Sequence, residues 1–386
     1  MVDISLIIPL YKGNRYCKRL LNMLDQNMEY LNQYQNCDIE VIFVNDYPDE
    51  DIQLDGYEHS YRIKLINQVN NKGIHASRVE GLKQAKGEYI IMLDQDDLVE
   101  RNWLYSQWNK IKTEDAEYCV CNGWKGRFRT LWQEEGMKKR VNNIKSYLTL
   151  PNPIISPGQV IMKRKAIPDE WMQYIQHCNG SDDFLLWVMA LKKEHSFILN
   201  QDYLFYHTPE RTKDSVSSSQ IMESNRETQK ILNEYVLLQE EKELFSQYLE
   251  SIQAFVDKKY ASMFFITYNW IRLKSRGIHI HIYLKQNGCK KIAIYGMGYI
   301  GECLYDELRN TDIEILYGID QNALDYKREL AIYHVDEDLE AVDGVIITIA
   351  DVSNKIKRMV YDKLKCNIYT MDELFINMSE CGQDSI

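Results

Sequence analysis

Residues 4–9 form a continuous run that is apolar but for Ser5, the pattern of a parallel strand covered on both faces. Residues 15–27 then carry Leu20, Leu21 and Leu24 at helical spacing. A second buried strand is predicted over 39–44, ending at Asn45-Asp46, and a third over 63–67. A helix over 73–85 leads to a fourth strand, 89–93, which ends at Asp94. Repeated β-α-β units of this kind predict a doubly wound, mostly parallel sheet. Ligands of such sheets sit beyond the carboxyl ends of the strands, where Asp46 and Asp94 fall.

Further along, a helix is predicted over 103–112, strand and turn over 117–132, a proline-rich loop over 151–157, a helix over 182–191 and a strand within 196–206. Residues 215–219 break the pattern, and 220–260 are helical and charged. A new α/β segment starts at Lys290, with strands over 292–295, 313–319 and 344–350. Three parts are therefore expected: 1–219, a helical connector over 220–289, and a small α/β domain over 290–386.

Composition changes this picture little. The 386 residues hold enough apolar material for more than one core. The net charge of -11 argues against a nucleic-acid partner, which needs basic surface to displace counterions from phosphates. No run approaches the ~20 apolar residues of a membrane span. The first residues lack the basic and apolar regions of a signal peptide, and with nine cysteines the chain reads as cytoplasmic and reduced. Cys119 and Cys121 read as two buried thiols on one strand face.

The sharpest chemical signal is Asp94-Gln95-Asp96-Asp97 directly after a buried strand. Carboxylates so close together repel unless a cation compensates, so the cluster is a candidate hard-metal site. A solvated acidic turn is the plain alternative. Four stretches in order place the cluster in a wider pattern. These are Ser5-Leu6-Ile7-Ile8-Pro9-Leu10-Tyr11, Glu40-Val41-Ile42-Phe43-Val44-Asn45-Asp46, Asn71-Lys72-Gly73 with Arg78, and Gly87-Glu88-Tyr89 running to Asp97. Together they resemble the family 2 glycosyltransferases of the GT-A fold, clearly over the first hundred residues and more faintly to about Ser219.

The resemblance implies a mixed GT-A sheet and an inverting sugar transfer from a nucleotide donor, UDP-linked, to a hydroxyl acceptor. Pro9 and Tyr11 would line the base pocket, and Asp46 would accept from the uracil imide. Arg78 would approach the base or diphosphate with its donor fork. Asp94, with Gln95 beside it, would hold the ribose or sugar, and Asp96 a Mn2+ or Mg2+ ion, with Asp97 able to share either task. Ser181-Asp182-Asp183 at a helix start resembles the family's acidic pair, with Asp183 as the general base and Asp182 beside it. A helix cap is the plain alternative. His207, followed by Ser215-Val216-Ser217, resembles the loop that closes over the diphosphate, and His207 would complete the metal shell or be merely structural. Gln159, Trp171 and Trp187 are candidates for the acceptor pocket, though tryptophans are more often core. Three departures bear on the donor: Asn45-Asp46-Tyr47-Pro48 replaces the usual D-D-G-S, Asp182 stands for Glu, and Arg101 for proline.

Gly296, Gly298 and Gly301 lie between a strand and a helix, and Asp320 ends the next strand. This resembles a Rossmann-type nucleotide-binding domain and makes those four residues a candidate second nucleotide site. Tight turning without any ligand is the alternative. Residues 258–291 contain no acid and include an aromatic run over 263–271. A helix buried between domains is the preferred reading, and peripheral contact with an anionic membrane at its inner face the other. The expected partners are thus a nucleotide-sugar donor and a saccharide, polyol-phosphate or lipid-linked acceptor, with an oligomer left open. Cell-surface polysaccharide, teichoic-acid-like polymer or glycolipid assembly would suit such an enzyme. An NAD(P)-dependent oxidoreductase, or a nucleotide-sensing scaffold built on the glycine loop, is the alternative.

Overall fold

The computed structural model describes residues 2–54, 59–125, 129–130, 136–207, 218–320, 330–349, 352 and 354–381. The chain divides into two units, Met1–Ile252 and Gln253–Ile386.

The first unit begins β1 (Ile4–Leu10), α1 (Asn14–Asn32), β2 (Ile39–Asn45), β3 (Arg62–Asn67), α2 (Ile74–Gln84) and β4 (Tyr89–Met92). It continues with β5 (Leu98–Val99), α3 (Trp103–Thr113), β6 (Tyr118–Lys125), β7 (Arg129–Thr130), α4 (Met137–Val141) and α5 (Ile144–Thr149). Next come β8 (Val160–Lys163), α6 (Asp169–Gln173), α7 (Asp182–Lys192), β9 (Phe197–His207), α8 (Ser218–Tyr235) and α9 (Gln239–Ser275), whose second half belongs to the other unit. The strands form one mixed sheet in the order β3-β2-β1-β4-β8-β6-β9-β5, with β7 beside β6. The pairs β1–β2, β2–β3 and β1–β4 are parallel, whereas β8 runs antiparallel between β4 and β6.

This sheet has the two covered faces that its apolar runs require. Ile4, Leu6 and Ile8 of β1 pack with Leu20 and Leu24 of α1 and Leu104 of α3. Ile7 turns the other way, towards Val79 of α2 and the buried side of α7. Leu232 of α8 and Phe245 and Leu249 of α9 join that second core. Cys119 and Cys121 are both buried, and burial pushes both thiols up, so they are packing groups. Strand β8, absent from the sequence reading, occupies the middle of the sheet. Its four residues are all buried, so they show no alternation and too little length to mark a strand.

The second unit continues with α10 (Ile280–Gln286), β10 (Lys291–Tyr295), α11 (Tyr299–Leu308), β11 (Glu314–Ile319) and β12 (Ile332–Tyr333). It ends with β13 (Gly344–Ile347), α12 (Asn354–Leu364), β14 (Asn367–Thr370) and α13 (Met371–Cys381). Its five strands are all parallel, in the order β12-β11-β10-β13-β14. Ile266, Trp270 and Leu273 of α9 pack with α10, α11 and α13 on one face, and Val360 of α12 covers the other. The expected burial of the helix over 263–271 between domains is met on one face only. Phe264, Phe265, Tyr268 and Ile271 are exposed, because only one stripe of α9 meets the sheet domain. Among the described residues no helix is long and apolar enough to cross a membrane.

The glycine loop after β10 shows which glycines are sterically required. A Cβ on Gly301 would stand 2.2 Å from the Gly296 carbonyl oxygen, whereas one on Gly298 would meet open space. Gly301→Ala is therefore expected to destabilise the second unit by about 1–3 kcal/mol. Gly298→Ala, at φ -75°, should leave it unchanged in denaturant unfolding. Equal losses for both would contradict this packing account.

Candidate active site

The strand order reverses between β1 and β4, and beyond the carboxyl ends of these strands lies a cleft of about 700 Å³. Ten of the residues that the sequence assigned to the donor, the metal and the acceptor line it, namely Pro9, Tyr11, Asp46, Arg78, Asp94, Gln95, Asp96, Asp182, Asp183 and His207, whereas Asp97, Gln159, Trp171 and Trp187 do not. The ten come from the ends of β1, β2 and β9, the turn after β4 and the helices α2 and α7, so the sheet brings together groups up to 198 positions apart (Pro9 to His207).

On the β1–β2 side, Pro9 and Tyr11 lie at the end of β1, and Tyr11 packs edge-on against Tyr47 at 5.2 Å. Asp46 follows β2 and takes the backbone N–H groups of Lys72 (2.7 Å) and Gly73 (2.9 Å), one on each carboxylate oxygen. Gly73 sits at φ +88°, a conformation that only glycine adopts without strain. Burial raises the Asp46 pKa, against the lowering pull of these two donors. Asp46 thus braces the 71–73 loop and also lines the cleft. Gln95 is occupied more fully. Its amide accepts from the Tyr11 N–H (2.9 Å) and donates to the Tyr11 carbonyl (3.1 Å), pinning the β1 loop to the acidic turn.

Arg78 of α2 is the centre of the site. It is buried, and its two terminal nitrogens donate to Asp182 Oδ2 (2.5 Å) and to Asp94 Oδ1. Burial works against the guanidinium charge, but Asp182 and Asp94 more than offset this and raise its pKa. Its Nε is buried with no partner among the described residues. Where the resemblance placed Arg78 against base or diphosphate, the structure shows it engaged with two carboxylates.

The acidic turn divides its tasks. Asp96 lines the cleft, its pKa raised by burial and then by the charge of Asp94. Asp97 is buried, accepts from Ser156 Oγ (2.6 Å) and has its pKa pushed up to about 6, chiefly by burial. His207 ends β9 with Nδ1 3.6 Å from Asp97 Oδ1, too long for a hydrogen bond, and that nitrogen is buried without one. Among the described residues no three His, Cys, Asp or Glu side chains form a metal cage on their own.

On the far side, Asp183 begins α7. It accepts from the Phe184 N–H (2.7 Å), and Asn152 Nδ2 lies 3.5 Å away. Burial, followed by the neighbouring charge of Asp182, pushes its pKa up to about 7. The loop before it is fixed from several sides. Glu227 of α8 accepts the N–H groups of His177 and Cys178, and Asn179 accepts that of Ile74. The His75 ring bridges the Trp171 carbonyl and the Gln176 N–H, both at 3.0 Å. Trp171, Trp187 and Gln159 are buried and do not line the cleft. Trp171 donates to the Asp182 carbonyl, and Gln159 ties the 155–156 backbone to Cys121. Residues 215–217 lie outside the described residues.

Arg15 is among the cleft residues that escaped the sequence reading. In the first turn of α1, it lines the cleft from an exposed position, with its guanidinium 4.6 Å from the Tyr16 ring. The available signal was a basic side chain opening the helix after β1. In the second unit, Asp320 Oδ2 accepts the Met297 N–H at 2.8 Å, bracing the glycine loop it was expected to serve as a ribose ligand.

Residues 5–171 match the family model of glycosyl transferase family 2. Over these residues the first unit is similar to the family 2 glycosyltransferases. The chain is 28% identical over 122 residues to "Glycosyltransferase GlyG" of Streptococcus pneumoniae, covering 31% of this chain and 38% of that protein. It is 22% identical over 228 residues to "Poly(ribitol-phosphate) beta-N-acetylglucosaminyltransferase TarS" of Staphylococcus aureus, covering 57% of this chain and 38% of that one. The chain thus matches well under half the length of these curated relatives. A crystal structure of S. aureus TarS 1-349 with UDP-GlcNAc aligns at a TM-score of 0.47 and 19% identity, over 64% of this chain and 72% of that one.

Two predictions follow from the charges. Arg78→Met leaves Asp182 buried and unpaired, at an expected cost of about 3–5 kcal/mol in chemical denaturation. Adding Asp182→Asn should recover part of it, and an unaltered midpoint for the single variant would exclude the pairing as a stabilising contact. The Asp183 pKa is raised on folding, so its ionisation opposes folding above about pH 7, and this opposition fades as the pH falls towards the ordinary carboxylate value. Asp183→Asn should therefore raise the unfolding temperature at pH 8 by a few degrees and by less at pH 5.

Proposed function

We propose that the first unit transfers a sugar, with inversion, from a UDP-sugar to a hydroxyl of a polyol-phosphate or saccharide acceptor. The observation that carries this reading is a carboxyl group poised near neutrality, Asp183, in the same cleft as Asp46, Asp94 and Asp96. A base is most useful when its pKa lies near the working pH. The family 2 match supports the reaction class, and the poly(ribitol-phosphate) relative supports the acceptor class.

In this reading Tyr11 and Pro9 flank the base and Asp46 accepts from its imide N–H. Asp94, fixed by Arg78, accepts from a ribose or sugar hydroxyl. Asp183 removes the proton from the acceptor hydroxyl as that oxygen attacks the anomeric carbon from the face opposite the departing diphosphate. Arg78 holds Asp182 in place, and the Asp182 charge helps hold the Asp183 pKa high. Negative charge grows on the diphosphate as the glycosidic bond breaks, and Arg15 supplies a cation on that side of the cleft.

The acidic cleft suits a hard cation. Asp96 offers a carboxylate and His207 an orphaned ring nitrogen, and the diphosphate oxygens would supply the remaining ligands. A bound Mn2+ or Mg2+ would neutralise charge on the leaving diphosphate. One unit-charge pair ~4 Å apart at an effective dielectric near 20 is worth about 4 kcal/mol.

Calorimetric titration with UDP, with and without Mn2+, tests the donor and the metal together. Metal-dependent binding that Asp96→Ala abolishes is expected. Absence of UDP binding in both conditions would overturn the donor assignment. With a UDP-sugar that supports turnover, Asp96→Ala should lose roughly three decades of rate. The rate should rise with pH through about 7 as Asp183 loses its proton, and Asp183→Asn should erase both the rate and that limb. A flat profile in the parent enzyme would remove Asp183 from the role of base.

A further inference from the structure

Helix α9 carries two apolar stripes, and the second unit covers only one. At about 100° per residue, Ile266, Trp270 and Leu273 share the face packed on that unit's core. Tyr260, Phe264, Tyr268 and Ile271 fall on the opposite face, and all four are exposed, Phe264 to 65% and Ile271 to 63%. The Phe264 and Tyr268 rings stack with centroids 6.1 Å apart, and Phe265 packs edge-on to Phe264 at 5.7 Å. Five large apolar side chains along about three helical turns form a continuous patch, not scattered surface residues.

The sequence that carries the patch is basic. From Lys258 to Lys291 the sequence contains no aspartate or glutamate, in a chain whose net charge is -11. Asp257, bonded to Gln253 at 2.7 Å, marks the start of the stretch. Lys274 pairs with Glu307 and Lys285 with Asp312. Lys259, Arg272 and Arg276 make no ion pair among the described residues.

We propose that this face of α9 is a docking surface for an anionic lipid bilayer. Phenylalanine and tyrosine rings suit the boundary between headgroups and acyl chains, and the flanking cations suit the phosphates above it. A second copy of this chain is a poorer occupant, since residues 258–291 of two such faces would oppose like charges. None of these residues lines the cleft, so this proposal is independent of the sugar-transfer reading.

Co-sedimentation of the full chain with lipid vesicles tests it. The chain should bind vesicles of equimolar phosphatidylcholine and phosphatidylglycerol, leave vesicles of phosphatidylcholine alone unbound, and detach as salt is raised. Arg272→Gln with Arg276→Gln should lower the partition coefficient roughly thirtyfold. Phe264→Ser with Tyr268→Ser should also release the chain, while UDP titration of each variant matches the parent. Binding that ignores lipid charge, variants that bind like the parent, or no vesicle binding at all would each overturn the proposal. A concentration-dependent dimer dissolved by Phe264→Ser, without vesicle binding, would assign the face to a second copy instead.

Discussion

One buried guanidinium holds the candidate site together. Arg78 stands on α2, between an acidic turn that follows β4 and an acidic pair that opens α7, and it donates to a carboxylate of each. The two acids are 88 positions apart in the chain, Asp94 and Asp182, and without a cation between them they would repel. Buried ion pairs contribute little net stability against an apolar core, but removing one partner is costly. The arrangement is therefore better understood as fixing geometry than as strengthening the fold. Close approach of the acidic turn to the start of α7 depends on it.

The surrounding hydrogen bonds follow the same logic. Asp46 holds the 71–73 loop, Gln95 holds the β1 loop, and Glu227 holds the segment that enters α7. Each of these side chains satisfies backbone donors that a loop would otherwise leave to solvent. Asp183 is not neutralised in this way. Its two contacts leave the burial penalty and the Asp182 charge dominant, which is why its pKa rises. A carboxyl kept uncomfortable in this way weakens folding and is the type of group a proton transfer needs.

Much of the first unit was legible in the sequence because its chemistry is local to strand ends. Asp46 and Asp94 could be placed from apolar runs that stop at an acid, and the sheet puts both in one cleft. The roles of Arg78 and Gln95 were not legible, because each depends on a partner in a distant segment. Arg78 matches the family pattern by spacing, but only the fold reveals that Asp94 and Asp182 already occupy its terminal nitrogens. Strand β8 was hidden for another reason, since four fully buried residues carry no period. The boundary after residue 219 also differs from the packing, because α8 and the start of α9 add Leu232, Phe245 and Leu249 to the first core. Their amphipathic pattern announced helices but not which core they would join.

His75 has a consequence of its own. The Gln176 N–H donates to Nδ1, so that nitrogen must be bare, and Nε2 must carry the proton it gives to the Trp171 carbonyl. The ring is held as a single neutral tautomer, and burial keeps its pKa below the ordinary histidine value. A ring so fixed makes a built-in spectroscopic gauge. Its two nitrogen resonances should stay far apart and insensitive to pH while the segment around Gln176 is seated. They should draw together when that segment lifts, reporting its opening without a label on the acids of the cleft.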